Sequence, residues 1–132
     1  MIQMFSPDFY RCDTCGNVIW LIHSSSVPVI CCGKAMRKLE PGETDGASEK
    51  HVPLVTEQDG SIHVQIGSVL HPSTDSHHIE WIALQTDAGI FFKEIPVGEA
   101  PAAVFDGIPG TPAAVYKYCN LHGLWKTMIH FA

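Results

Sequence analysis

The clearest periodic signal lies in the middle of the chain, where Ile62, Val64 and Ile66 alternate with His63 and Gln65 directly after Asp59-Gly60. Period-two alternation behind such a dipeptide predicts a strand leaving a tight hairpin. A second run, Ile79 to Thr86, also reads as a strand, and Ile90 to Ile95 follows the turn residues Asp87-Ala88-Gly89. Ala113 to Tyr118 reads as a late strand. Nine prolines and eleven glycines leave no stretch with helical periodicity. Short strands separated by turns predict a mainly β fold, with a β-sandwich from about residue 45 onward. The segment 40–48 (Glu40-Pro41-Gly42-Glu43-Thr44-Asp45-Gly46-Ala47-Ser48) has linker composition, and the expected organisation is two domains, 1–40 and 41–132. The first is below the size at which a chain usually folds unaided, so it needs a metal, a partner subunit or both.

Composition narrows the possible functions. The 132 residues are 45% hydrophobic and 17% charged, which is globular composition. No apolar run is long enough to span a bilayer, and MIQMFSPDFY at the start lacks the features of a secretion signal, so the expected location is the cytoplasm, away from membranes. A formal charge of −6 opposes binding to a phosphate backbone and excludes nucleic acid as the expected partner. The unusual feature is eight histidines and five cysteines in so short a chain. An odd cysteine count without a secretion signal points to metal ligands rather than to a disulfide framework.

Those residues form two constellations. Cys12-x-x-Cys15, followed by Cys31-Cys32, offers four thiolates in a segment with little core, suited to tetrahedral zinc or iron. Adjacent ligands cannot repeat the relaxed geometry of a second C-x-x-C, so a distorted site is expected. The second constellation starts from Cys119-Asn120-Leu121-His122, which holds a thiolate and an imidazole three residues apart. Upstream, His51, His71 and the pair His77-His78 fall in loops or at strand ends, where ligands commonly sit.

The motifs carrying these residues are extended. They run from Tyr10-Arg11-Cys12 through Cys32-Gly33, then Thr44-Asp45-Gly46-Ala47, Glu49-Lys50-His51-Val52-Pro53 and Gly67-Ser68-Val69. His71-Pro72, Ile79-Glu80-Trp81, Tyr118-Cys119-Asn120-Leu121-His122-Gly123 and Trp125-Lys126 complete them. In these the chain resembles the desulfoferrodoxins, the two-iron superoxide reductases. The resemblance implies a small rubredoxin- or desulforedoxin-like domain with iron on Cys12, Cys15, Cys31 and Cys32, followed by an immunoglobulin-like sandwich. It implies a catalytic iron on His51, His71, His77 and His122 with an axial Cys119 thiolate, hence two iron ions per chain, with zinc or another metal able to substitute in recombinant protein. It also implies a homodimer, one-electron reduction of superoxide to hydrogen peroxide, and a rubredoxin-like electron donor. Lys50 is expected to guide superoxide and proton delivery, and Glu49 to occupy the open position after oxidation.

One departure is that the family usually has an aromatic residue where this chain has His78. Alternation does not choose between neighbours, because His77 shares a face with Ile79 and Trp81, and His78 with Glu80 and Ile82. The family match favours His77. His23, His63 and His130 lie outside the motifs and read as surface residues. Two other classes compete with an enzyme: a pure electron carrier using only the Cys₄ metal, and a zinc-stabilised binding module. A carrier has no use for an open five-ligand site, and one Cys with four His exceeds zinc's usual four ligands.

Overall fold

In the computed structural model, residues 7–42, 53–67 and 72–129 are described, and the ordered elements among them are strands. The chain divides into two compact units, Met1–Glu40 and Pro41–Ala132.

In the first unit, β1 (Asp8–Arg11) lies between β2 (Val18–Leu21) and β5 (Arg37–Lys38), while β3 (Ile30–Cys31) pairs with β4 (Lys34–Ala35). Both sheets are antiparallel and very short. Among the described residues, the side chains buried with them are few: Phe9, Cys12, Met36 and Leu39. Ile22, Val27 and Ile30 are exposed instead. So small an apolar core provides little of the stabilisation that orders a chain.

The second unit is a sandwich. β10 (Ala102–Phe105), β7 (Ser61–Ile66) and β6 (Pro53–Gln58) form one sheet in that order. The other runs β12 (Gly123–Met128), β11 (Pro112–Cys119), β8 (Ile79–Thr86), β9 (Gly89–Glu94). Lettered A, B, C, C′, E, F, G along the chain, the sheets read E-B-A and G-F-C-C′, an immunoglobulin-like arrangement. The predicted alternation holds: Ile62, Val64 and Ile66 face inward to meet Ile82, Leu84, Val115 and Cys119 from the other sheet, with Ala103 and Phe105 closing one side. Asp59 and Gly60 have φ of 51° and 83° between the paired residues Gln58 and Ser61, a hairpin turn whose backbone matches the strand twist.

Three details of this frame reach the ends of β8 and β11. Across β11 and β8, Tyr118 opposes Trp81 but Cys119 opposes Ile79, so Glu80 is a bulged residue that shifts the strand's alternation. Lys117 is wholly buried, with its Nζ 5.2 Å from the ring of its cross-strand partner Trp125. Gly42 bridges to Trp125 in parallel, and a Cβ there would come within 3.4 Å of the indole.

Candidate metal centres

The first centre is built from two turns. Cys12 ends the segment after β1, and its carbonyl accepts from the Gly16 amide at 2.8 Å while the Cys15 amide points at its sulfur at 3.5 Å. Gly16 completes the turn with φ of 83°, which a side chain would resist. Cys31 pairs with Lys34 across a two-residue turn of Cys32 and Gly33, whose φ values are 53° and 75°. This left-handed pair is how two sequence neighbours present both sulfurs to one point. Cys32 bears the cost, because a residue with a Cβ is strained there by about 1–2 kcal/mol. Arg37 of β5 grips Asp13, between the first two cysteines, through Nε and Nη2 at about 3.1 Å.

All four sulfurs lie within 4.8 Å of one another, and Cys15 Sγ stands 3.6 Å from Cys31 Sγ. Tetrahedral thiolate coordination with bonds of about 2.3 Å separates sulfurs by about 3.8 Å, so the donor set has the spacing for an ion. Its proton chemistry agrees. Amide donation, chiefly from Cys15, brings the Cys12 thiol down to about 6, while the neighbouring sulfurs, Cys15 foremost, push Cys32 up to about 12. Cys31 is also raised, chiefly by Cys12, although the Asn17 amide donates to its sulfur at 3.7 Å. One thiolate forms readily here, and four require a cation among them.

The second centre lies at the end of the sandwich. Cys119 closes β11, fully buried, and the chain turns through Asn120, Leu121 and His122 back into β12. Cys119 Sγ is 3.8 Å from His122 Nδ1, and the His77 and His122 rings are 4.9 Å apart between centroids. The possible donor atoms of His77, Cys119 and His122 lie within 4.8 Å of one another. One soft sulfur and two imidazoles in a half-buried group suit iron, copper or zinc rather than a hard cation. Trp125 Nε1 donates to the His122 carbonyl at 3.1 Å, tying this turn to the buried indole.

The sequence left His77 and His78 as competitors, and here only His77 joins the group. The His78 ring turns back to its own loop, its Nδ1 2.9 Å from the Thr74 carbonyl. His51, His71, Glu49 and Lys50 lie outside the described residues, as does His130. His23 is exposed and His63 half-buried on β7. Asn120 is a residue the sequence reading did not single out. Its side chain accepts from the His78 amide at 2.8 Å and donates to the Ser76 carbonyl at 3.0 Å. Its position inside the C-N-L-H motif was the available signal.

Comparison with known proteins gives a consistent picture. The family described as Desulfoferrodoxin matches residues 43–128, and that described as Desulfoferrodoxin, N-terminal domain, matches residues 6–39. A desulfoferrodoxin of Nitratidesulfovibrio vulgaris is 40% identical over 119 residues, covering 90% of this chain and 94% of the relative. One from Syntrophotalea carbinolica is 39% identical over 120 residues, covering 91% and 94%. The crystal structure of the superoxide reductase from Treponema pallidum superposes with a TM-score of 0.79 at 31% identity, covering 92% of this chain and 97% of that one.

Proposed function

The chain belongs to the desulfoferrodoxin family, and from that premise we propose that it is a superoxide reductase. The reaction takes one superoxide, one electron and two protons to one hydrogen peroxide, and releases no dioxygen. The observation that carries this reading is the convergence of His77, Cys119 and His122 at the end of a sandwich resembling that of a superoxide reductase.

We assign the catalytic iron to His51, His71, His77, Cys119 and His122, and a second iron to Cys12, Cys15, Cys31 and Cys32. When bound, the catalytic iron supplies the electron, and an anionic sulfur ligand favours its donation. The chain's own residues do the rest. Burial of Cys119 keeps water from the sulfur, and the Trp125 bond holds the His122 turn in place. Lys50 and Glu49 adjoin His51 in sequence; we assign Lys50 to attracting the anion and assisting proton delivery, and Glu49 to closing the site after turnover. A local cation is needed because the chain carries −6 overall, so its net charge does not attract superoxide.

We further propose that the protein works as a cytoplasmic homodimer re-reduced by a rubredoxin-like donor. Five cysteines assigned to metal binding rather than to a disulfide framework support a reducing compartment. The few buried side chains of the first unit support a partner subunit.

Product stoichiometry tests the activity. Reduced, iron-loaded protein mixed with superoxide under a continuous electron supply is expected to yield one hydrogen peroxide per superoxide consumed. Half that yield, with dioxygen released, is the signature of dismutation and would reject the assignment.

A further inference from the structure

We propose that Asn120 is a positioning residue for the second metal centre, the clamp that sets where His77 stands against Cys119 and His122. This rests on the reading that those three residues bind the catalytic iron.

His77 and Cys119 come from distant parts of the sequence. His77 lies in the loop before β8, and Cys119 ends β11. The loop has internal order: the Thr74 amide donates to the His77 carbonyl at 2.9 Å, and Thr74 Oγ1 accepts from the His77 amide at 3.2 Å. Those bonds shape the loop but do not fix its distance from the sulfur. The ladder between β8 and β11 ends at Ile79 and Cys119, beyond the bulge at Glu80.

Asn120 continues the connection past that end. Its backbone amide donates to the His78 carbonyl at 3.1 Å, its side-chain oxygen accepts from the His78 amide at 2.8 Å, and its side-chain nitrogen donates to the Ser76 carbonyl at 3.0 Å. The three bonds bracket His77, one neighbour on each side, and all start from the residue next to Cys119. Both ends of the amide are used in complementary roles, acceptor toward N–H and donor toward C=O, which an ionised carboxylate cannot reproduce. A simpler role, as a residue suited to the turn at 120–122, makes a different prediction. Asn120 is not among the residues with positive φ, so that turn does not require Asn in particular.

Two variants separate the roles. Asn120→Ala removes both side-chain bonds. Asn120→Asp keeps a good turn residue and the acceptor for His78, but loses the donor and sets a carboxylate against the Ser76 carbonyl. The full chain is loaded with iron, and chelator-driven release from each centre is followed by visible and EPR spectra. The Cys₄ centre of the same molecule serves as the internal standard. Both variants are expected to release the second iron about 10- to 100-fold faster than the parent, as outer-shell changes do. Their thiolate-to-iron band should be displaced, with release from the Cys₄ centre unchanged. If Asn120→Asp keeps the parent's spectrum and release rate, the residue serves only the turn and the proposal falls. If Asn120→Ala does not fold, the Asp variant decides alone. A parent protein that holds iron only at the Cys₄ centre overturns the site reading itself, an outcome distinct from failure of the clamp.

Discussion

The two centres solve the same problem, gathering soft ligands around one point, in opposite ways. In the first unit, ligands from residues 12 to 32 are delivered by two turns on strands of two to four residues, with little apolar burial behind them. In the second, the group His77, Cys119 and His122 joins two loops about forty residues apart in sequence, carried by sheets with a continuous core. Local chain geometry therefore makes the first site, with few buried side chains to support it. Long-range register makes the second, and a continuous core stands behind it.

Metal removal should break this comparison most widely. Stripping both ions is expected to unfold the first unit while leaving the sandwich intact, since the binding energy of a metal decides folding only where little other core contributes. Hydrogen exchange checks it: amides of Phe9 and Leu39 should lose protection, while those of Val64 and Val115 keep theirs. Concerted loss in both units would mean that the sandwich also depends on its ion.

The next effect is smaller and confined to one site. His77→Ala should weaken iron binding at the second centre by more than the roughly 10- to 100-fold typical of outer-shell changes. His78→Ala removes a ring directed at the Thr74 carbonyl and should leave the second iron in place. Iron content per chain, with the Cys₄ absorption as reference, distinguishes the two, and the reverse ranking would move the ligand by one residue.

That pair also marks how far the sequence could be read. The strands at 61–66 and 79–86 were visible because Ile62, Val64 and Ile66 alternate cleanly and Ile79 to Thr86 contains the apolar run Trp81-Ile82-Ala83-Leu84. β6, β10 and β12 escaped: β6 opens on a proline, β10 is short, and β12 places Leu124 and Trp125, adjacent residues, both in buried positions. In the first unit, strands two residues long leave no period to detect. Parity failed to choose between His77 and His78 because the bulge at Glu80 moves Ile79 to the same core as Ile82. The buried Lys117 was likewise illegible, since only register places it beside Trp125. Asn120 binds backbone groups, so apart from its place inside the C-N-L-H motif nothing in the sequence marked its role.

The smallest effect sharpens the contrast most, because the same chemical change can be made beside each centre. Gly33 follows Cys32 with φ of 75°, and Gly123 follows His122 with φ of 78°; a Cβ at either would meet nothing within 4 Å. Substitution by alanine at each position therefore costs backbone strain alone, about 1–2 kcal/mol. The consequences should differ. In the sandwich, Gly123→Ala should lower the thermal midpoint by only a few degrees and leave both metals bound, because one strained residue is a small part of the whole core. In the first unit, the strain falls on the turn that aims Cys31 and Cys32, in a domain with little core to hold it. Gly33→Ala should therefore appear as faster chelator release from the Cys₄ centre, by about tenfold for 1.4 kcal/mol, with the sandwich's midpoint unchanged. Equal shifts in midpoint for the two variants, with equal metal release, would mean that both units draw on one shared reserve of stability.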